Sequence, residues 1–250
     1  MNSDKGSIHL VMPMGGSGSR FSEWGFELPK PLIELHDKPF FYWATESIRK
    51  FIPLRSLTFV ILKEHVKNFN IDIRIREFYD DANIYILDDV LDGAVLTCLE
   101  GVKLINDEAP VLFNDCDHLF TCKSFNDFCN NNDFSRLDGG LLTFTSSDPK
   151  FSFLELDKDS NVLRTVEKQA VSNIAICGAY YFRNRAIFIE AAEKYLVNCT
   201  YKEFFMSGVY NVMAKENQII KSFAVDMHLP FGTPDEYKVA QKSNAFEVLK

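Results

Sequence analysis

The chain has 250 residues, 46% of them hydrophobic, and its 35 acidic and 27 basic residues give a formal charge of −8. This composition supports a sizeable core and excludes global disorder, while an acidic balance without a basic stripe argues against a nucleic-acid partner. No apolar run has the length of a membrane span, and residues 1–7 lack the apolar core of a signal peptide, so we expect a cytoplasmic protein without a membrane partner. The six cysteines show no C-x-x-C spacing, which argues against a zinc site and a disulfide framework.

Residues 1–120 alternate short apolar strands with helical patterns. The predicted strands are residues 8–14, 57–62, 84–87 and 110–113, and the predicted helices are residues 40–51 and 94–105. Strands that alternate with helices favour a mostly parallel, mixed sheet with helices on both faces. We therefore expect an α/β protein of three layers, whose first half binds a nucleotide.

Residues 121–250 contain more strands in succession, separated by turns. The predicted strands are residues 140–145, 151–156, 162–166, 174–182 and 219–225, and the predicted helices are residues 186–197 and 202–214. A last helix is expected after Thr233, whose hydroxyl is a suitable N-cap in front of Pro234. No linker or repeat separates the halves, so we expect a single domain of residues 1–250 whose second half binds the substrate.

A glycine-rich loop follows the first predicted strand, in the segment M-G-G-S-G-S-R-F of residues 14–21. Glycines let the backbone approach a ligand closely, and their N–H groups can converge on phosphate oxygens. Arg20 adds a forked cation suited to phosphate, and Lys30 is held between two prolines in a stiff segment. The loop is not a P-loop and matches a Rossmann fingerprint only loosely. Alone it could be a tight turn, but with both cations it indicates a site for a phosphate chain.

Polar residues follow the fourth predicted strand, where Asn114, Asp115, Asp117 and His118 occur within five positions. Ligands of open α/β sheets bind beyond the carboxyl ends of the strands, and carboxylates are ligands that Mg²⁺ prefers. A solvated turn is the alternative, because Asn and Asp are common in turns. The residues alone favour neither alternative.

The pattern G-G-x-G-x-R-F followed by P-K-P-L resembles the signature of the sugar-phosphate nucleotidylyltransferase family, especially its short bacterial members from capsule and surface-polysaccharide pathways. The resemblance spans nearly the whole chain and implies a Rossmann-like nucleotidyltransferase fold. It implies that Arg20 and Lys30 are catalytic, since the arginine would hold the triphosphate and the lysine would stabilise charge at the α-phosphorus. It also implies a metal-binding carboxylate after the fourth strand, and we rank Asp117 above Asp115 as the ligand of Mg²⁺.

The same resemblance implies nucleotide and substrate contacts. The turn at residues 92–94 is similar to the loop that faces the base in the family, although capping of a helix by Asp92 would also explain it. The predicted nucleotide-binding residues are Met14, Gly15, Gly16, Gly18, Ser19, Asp92, Gly93, Ala94 and Asn114. The predicted substrate-binding residues are Glu167 and Lys168, for hydroxyls and phosphate, with Gly178 and His118. A solvated surface pair and a simple turn histidine are the alternatives.

The G-T-P motif at residues 232–234 is also similar to the family but departs from it nearby. Many members place a second metal-binding aspartate where this chain has Pro230. Asp226 or His228 could take that role, or one metal ion could suffice.

These residues predict in-line attack by a substrate phosphate oxygen on the α-phosphorus of a nucleoside triphosphate, with release of pyrophosphate. The expected acceptor is a sugar 1-phosphate, and the product would be a nucleotide-activated sugar for surface or capsular polysaccharide. A cytidylyltransferase for phosphocholine or a polyol phosphate is an alternative. A metal-dependent glycosyltransferase that consumes a nucleotide sugar and a non-catalytic nucleotide-sensing protein are the rival classes. The nucleobase, the acceptor and the oligomeric state stay open.

Overall fold

The computed structural model describes residues 6–250, so residues 1–5 of the polar N-terminal segment lie outside the described residues. In that range the strands are Ile8–Met14 (β1), Glu34–Leu35 (β2), Lys38–Pro39 (β3), Leu54–Leu62 (β4), Asn83–Leu87 (β5), Val111–Asn114 (β6), His118–Thr121 (β7), Gly139–Thr145 (β8), Ser152–Leu156 (β9), Val162–Glu167 (β10), Ile174–Phe182 (β11), Ile220–Ala224 (β12) and Met227–Pro230 (β13). The helices are Ser19–Glu23 (α1), Phe40–Arg49 (α2), Lys63–Phe69 (α3), Ile71–Arg76 (α4), Ala94–Gly101 (α5), Lys123–Asn130 (α6), Arg185–Asn198 (α7), Met206–Lys215 (α8) and Pro234–Ala240 (α9).

Nine of these strands form one mixed sheet that runs through both halves of the chain. Its order is β10-β9-β11-β6-β1-β4-β5, and β8 pairs with β11 and β12. The neighbours β6, β1, β4 and β5 are parallel, whereas β11 runs antiparallel to β6, β8 and β9. Because β1 and β6 are parallel neighbours, the glycine-rich loop and the acidic residues that follow these strands lie at the same edge of the sheet.

Side chains of the central strands alternate between two cores on opposite faces of the sheet. Leu10 and Met12 of β1 pack with residues of α2, α4 and α6, while Val11 and Val60 pack with residues of α5, α7 and α8. Burial on both faces explains why these strands read as continuous apolar runs. The predicted three-layer, Rossmann-like α/β fold is confirmed.

A third apolar cluster lies beside the glycine-rich loop. Phe21 of α1 and Trp43 of α2 pack in it with Phe231 and Phe246 from the C-terminal segment. Phe21 is only 1% exposed, which anchors the helix that carries Arg20. The end of the chain therefore supports the loop near its beginning.

The predicted elements agree with the structure apart from their ends and several short elements. The helix expected at residues 202–214 begins only at Met206, because the backbone of Phe204 bonds to Asp92 and Val95 instead of continuing a helix. The prediction did not include β7 and β13, which pair with each other, or the short helices α1, α3, α4 and α6. Apart from α6, these elements have seven residues or fewer and are too short for hydrophobic periodicity to reveal them. The eight residues of α6, K-S-F-N-D-F-C-N, are mostly polar.

The structure also shows the state of the cysteines and the length of the apolar helices. Five of the six cysteines, all of which lie in the described part of the chain, are buried, and all six are free. Between residues 6 and 250, no helix combines the length and the apolarity needed to cross a membrane.

Candidate active site

The glycine-rich loop leaves β1 at the carboxyl edge of the sheet and borders a cavity. Gly18 has a left-handed φ of 63°, and a Cβ there would lie 3.3 Å from Cβ of Lys30. A Cβ on Gly15 would lie 2.7 Å from Cδ1 of Leu87, whereas at Gly16 no atom of the described residues comes within 4 Å of the Cβ position. Conformation thus explains the glycine at position 18, and packing explains the one at position 15. At Gly16 the backbone faces open space.

Lys30 begins a short 3₁₀ helix, Lys30–Leu32, between the two prolines. Its Nζ lies 2.9 Å from Oδ2 of Asp117, which is 87 residues away in the chain. Burial lowers the pKa of Lys30, but the charge of Asp117 and its hydrogen bond outweigh this effect, so the pKa lies above its usual value. The amine is therefore positively charged at the end of β6.

Arg20 lies on α1, next to the buried ring of Phe21, and its exposed side chain borders a second, larger cavity. Within residues 6–250 it makes no ion pair, so its guanidinium is available to a ligand. Ser19 precedes it on the same helix but is exposed and borders neither cavity.

Asp115 and Asp117 follow β6 and border both cavities. A Cβ on Gly178 would lie 2.6 Å from Oδ2 of Asp115, and a Cβ on Gly232 would lie 2.2 Å from Oδ2 of Asp117, so both glycines leave space around a carboxylate. Burial raises the pKa of Asp115, and the charge of Asp117 raises it further. Burial also raises the pKa of Asp117, but Lys30 reverses this effect and holds the pKa below its usual value. Lys30 thus neutralises the charge of Asp117, and a second cation would stabilise the ionised form of Asp115.

The turn at residues 92–94 is held by the segment in front of α8. The N–H of Phe204 donates to the carbonyl of Asp92 at 2.9 Å, and the N–H of Val95 donates to the carbonyl of Phe204 at 3.1 Å. Gly93 has a φ of 127°, and a Cβ there would lie 2.4 Å from the nitrogen of Phe204. Gly93 is the N-cap of α5, and no side chain caps this helix. The turn is therefore fixed by backbone pairing and not by capping from Asp92.

Two neighbouring cavities bring most of the predicted residues together. The smaller one, of 420 Å³, is bordered by Met14, Gly15, Gly16, Gly18, Lys30, Asp92 and Gly93. The larger one, of 750 Å³, is bordered by Arg20, His118, Glu167, Lys168 and Gly178. Ala94, Asp115 and Asp117 border both cavities. The two carboxylates therefore stand at the boundary between the cavities.

Besides Ser19, two predicted residues lie away from these cavities. Asn114 is fully buried, where its side-chain amide donates to the carbonyl of Ala44 at 3.0 Å and its Oδ1 lies 2.9 Å from Nε2 of His118. Asp226 accepts a hydrogen bond from the backbone N–H of Lys123 at 2.6 Å and borders a third cavity. The structure thus gives Asn114 a structural position and separates Asp226 from Asp115 and Asp117.

His118 contributes an uncharged imidazole to the wall of the larger cavity. The residue is 2% exposed, and burial lowers its pKa to about 4. Its ring lies 5.5 Å from that of His228, between centroids. Neither Nδ1 of His118 nor either nitrogen of His228 has a hydrogen-bond partner among the described residues. Burial also lowers the pKa of His228, to about 3, so neither ring is a source of positive charge at neutral pH.

Several cavity residues were not identified from the sequence. Lys150 and Glu236 of α9 form an ion pair, with Nζ 2.9 Å from Oε1. The ring centre of Phe205 lies 4.6 Å from Nζ of the predicted residue Lys168. Glu203 borders the smaller cavity. Each is an ordinary surface or core residue type, and only contacts between distant parts of the chain bring it to the site.

Fold and site together have the form of an α/β enzyme in which groups suited to phosphate border two adjoining cavities. The sequence model of the family described as "Nucleotidyl transferase" matches residues 10–243, and the chain belongs to this family. The predicted enzyme class, a nucleotidyltransferase, is thereby confirmed.

Two relatives cover almost the whole chain. Both are named D-glycero-alpha-D-manno-heptose 1-phosphate guanylyltransferase. The protein from Campylobacter jejuni is 25% identical over 245 residues, covering 92% of this chain and 97% of its own. The protein from Aneurinibacillus thermoaerophilus is 25% identical over 240 residues, covering 94% of this chain and 97% of its own.

Solved structures show the same fold. The nucleoside-diphosphate-sugar pyrophosphorylase from Vibrio cholerae matches with a TM-score of 0.80 and 20% identity, over 94% of this chain and 100% of that chain. A putative glucose-1-phosphate thymidylyltransferase from Bacillus anthracis matches with a TM-score of 0.76 and 14% identity, over 94% of each chain.

Proposed function

We propose that this nucleotidyltransferase transfers the nucleotidyl group of a nucleoside triphosphate to a sugar 1-phosphate, giving a nucleotide-activated sugar and pyrophosphate. The observation that carries the proposal is the Lys30–Asp117 pair at the boundary of two adjoining cavities. Both cavities have the volume of a typical small-molecule site. With one substrate in each, the two phosphate groups meet beside a charged lysine.

The smaller cavity suits the triphosphate. The backbone of Gly15, Gly16 and Gly18 can donate to phosphate oxygens, and the N–H groups of such a loop favour negative charge. The turn at residues 92–94 lies in the same cavity and would face the base, with Met14 beside it. Backbone groups of a turn with small side chains can approach a base edge closely.

The larger cavity suits the acceptor. Glu167 is an acceptor of hydrogen bonds from hydroxyl groups, and Lys168 supplies a positive charge for a phosphate. Arg20, expected from the resemblance to hold the triphosphate, borders this larger cavity instead, where it can bind phosphate oxygens with two N–H groups at once. Gly178 borders the same cavity, and its missing side chain leaves room for the Asp115 carboxylate.

The carboxylates fit a divalent ion. The family commonly uses a divalent metal, and the carboxylates of Asp115 and Asp117, for which Gly178 and Gly232 leave room, border both cavities. Within residues 6–250 no group of three or more His, Cys, Asp or Glu side chains could hold a metal, so phosphate oxygens and water would complete the coordination of Mg²⁺. When bound, Mg²⁺ would neutralise charge on the triphosphate.

Catalysis then depends on position and charge. The nucleophile is a phosphate oxygen that already carries negative charge, so no covalent enzyme intermediate is required. Lys30 and Arg20 reduce the repulsion between two anions and stabilise charge that develops during in-line displacement at the α-phosphorus.

The relatives suggest which substrates to test first. Both are named guanylyltransferases for a heptose 1-phosphate. We infer that GTP and D-glycero-α-D-manno-heptose 1-phosphate are the first pair to assay, and that the product is a cytoplasmic precursor for surface or capsular polysaccharide.

The test is a substrate grid with pyrophosphate detection. Purified protein and Mg²⁺ are combined with GTP, ATP, CTP, UTP or dTTP and with sugar 1-phosphates, phosphocholine or inositol 1-phosphate. We expect pyrophosphate only in mixtures with one or a few sugar 1-phosphates. EDTA should abolish this release, and added Mg²⁺ should restore it.

Other products would contradict the proposal. Pyrophosphate from phosphocholine or inositol 1-phosphate alone would place the chain with the cytidylyltransferase alternative. Nucleoside diphosphate released from a nucleotide sugar, without pyrophosphate chemistry, would identify a glycosyltransferase.

A further inference from the structure

Two serine hydroxyls from different elements bind the same oxygen of Glu167. Ser152 lies directly opposite Glu167 in the β9–β10 pairing, and its Oγ donates to Oε2. Ser207, in the first turn of α8, donates to the same Oε2 at 2.8 Å. The carboxylate is therefore held from β9 and α8 while its backbone belongs to β10.

This arrangement leaves the two carboxylate oxygens unequal. An ionised carboxylate is only an acceptor, with about two lone-pair sites on each oxygen, so two hydroxyl donors occupy those of Oε2. No donor from the described part of the chain bonds Oε1. Glu167 borders the larger cavity, so its Oε1 is the oxygen available to a hydroxyl of a bound molecule.

Ser207 itself is out of reach of any ligand. It is 2% exposed and borders neither of the two cavities, unlike Ser152, which borders the larger one. Several contacts join the start of α8 to β10, and in one of them Thr165 donates through Oγ1 to the carbonyl of Ser207 at 2.6 Å. The side chain of Asn211 also bonds both backbone groups of Thr165, at 2.8 and 3.0 Å.

We propose that Ser207, together with Ser152, is a positioning residue that directs Oε1 of Glu167 toward one hydroxyl of the acceptor. The inference rests on the proposed function, because it assumes that the larger cavity holds the sugar phosphate. It adds that recognition of this hydroxyl depends on a buried serine that never touches the substrate.

The first test separates acceptor binding from nucleotide binding. Ser207→Ala removes one of the two donors to Oε2 and frees the carboxylate to rotate. With the sugar 1-phosphate that gives the highest rate in the substrate grid, we expect the acceptor KM to rise about tenfold and the KM of the triphosphate to stay within twofold. Ser152→Ala, which acts on the same oxygen from another strand, should raise the acceptor KM in the same way.

A double-mutant cycle shows whether the effect passes through Glu167. In a Glu167→Ala background, Ser207→Ala should change the acceptor KM less than twofold, because the group that it orients is gone. An acceptor analogue that lacks the recognised hydroxyl should likewise be bound equally by wild type and Ser207→Ala. A tenfold effect that persists in either case overturns the proposal.

Thr165→Val is the matched control. It removes a hydroxyl that is as buried as that of Ser207 and lies at the same junction of β10 and α8, but that does not contact Glu167. If Ser207 were only structural, both variants would lower the melting temperature and change both KM values alike. We expect Thr165→Val to lower stability and leave the acceptor KM within twofold.

A structural readout separates this inference from the proposed function. If the wild type releases no pyrophosphate with any sugar 1-phosphate, the proposed function fails, and the inference is decided by the ligand-free crystal structure of Ser207→Ala. The Glu167 carboxylate should leave its position between Ser152 and α8 in that structure. A carboxylate in the wild-type position overturns the inference.

Discussion

At the scale of single residues, Lys30 determines the charge at the boundary of the two cavities. Its ammonium lies 2.9 Å from Asp117, and its pKa lies above the usual value, so it stays charged throughout the physiological pH range. No other lysine of the described residues lies in the smaller cavity. In the proposed mechanism, stabilisation of the transition state therefore depends on this side chain and on Arg20.

We predict that Lys30→Met reduces kcat about 100-fold or more. Methionine retains much of the side-chain volume but removes a cation that stabilises the transition state, and loss of one such group typically costs about 3–4 kcal/mol. The measurement is pyrophosphate release at saturating substrates, with thermal unfolding to establish that the variant is folded.

Lys103→Met is the matched control for this prediction. Lys103 forms an exposed ion pair with Glu100 and borders neither cavity, so its removal should leave kcat unchanged. Wild-type turnover in folded Lys30→Met would refute the catalytic role of Lys30.

At the scale of elements, the start of α5 and the segment before α8 act as one unit. Asp92 and Val95 pair with the backbone of Phe204, and Gly93 fits between them with a φ that side-chain-bearing residues rarely adopt. The turn at residues 92–94 is thus held by a segment more than 100 residues later in the chain, which is why the predicted helix at 202–214 begins late.

We predict that Gly93→Ala lowers the free energy of unfolding by about 2 kcal/mol or more. The new Cβ would need both an unfavourable φ and a position 2.4 Å from the nitrogen of Phe204. Urea unfolding followed by circular dichroism measures the change.

Gly16→Ala provides the comparison, since the Cβ position there is open and φ is ordinary. Its stability should equal that of the wild type. Equal stabilities of all three proteins would contradict the tight packing inferred at Gly93.

At the scale of the whole molecule, the sheet is also fastened at the edge opposite the site. The Asp107 carboxylate lies 3.0 Å from Nε2 of His9 on β1, 2.7 Å from Nε of Arg55 on β4, and accepts from the N–H of Ala109 at 2.8 Å. Burial raises the pKa of Asp107, but these contacts outweigh it and hold the pKa below its usual value. One carboxylate thus joins the amino ends of two central strands.

We predict that Asp107→Asn destabilises the fold by about 1–2 kcal/mol at pH 7. Because the folded pKa of Asp107 is lowered, its stabilisation is complete above the pKa of the unfolded chain, near 4, and is lost as pH falls toward the folded pKa. The difference between wild type and variant should therefore shrink progressively below pH 4 in thermal unfolding.

Asp88→Asn is the control for this prediction, because its ion pair with Lys63 is fully exposed and should contribute nothing measurable. A stability difference for Asp107→Asn that does not change between pH 7 and pH 3 would contradict the linkage.

The sequence by itself determined the parts of the molecule whose signals are local. Apolar runs predicted β1, β4, β6 and β11 within a few residues, because strands buried on both faces must be continuously apolar. The hydroxyl of Thr233 accepts from the N–H of Glu236, as expected of an N-cap. The sequence also predicts site roles for the glycine-rich loop, Arg20 and Lys30, because glycine, proline and fixed charges have strong local meaning, and these residues border the two cavities.

Only the tertiary structure decided the contacts between distant segments. Asn114 is buried against α2, and Asp226 borders a third cavity. Lys150 and Glu236 form an ion pair in the larger cavity. Ser207 donates a hydrogen bond to Glu167 from a buried position. The physical reason is that these positions depend on how strands pair and helices pack across the whole chain, and a residue's own neighbours in the sequence carry no signal for that pairing.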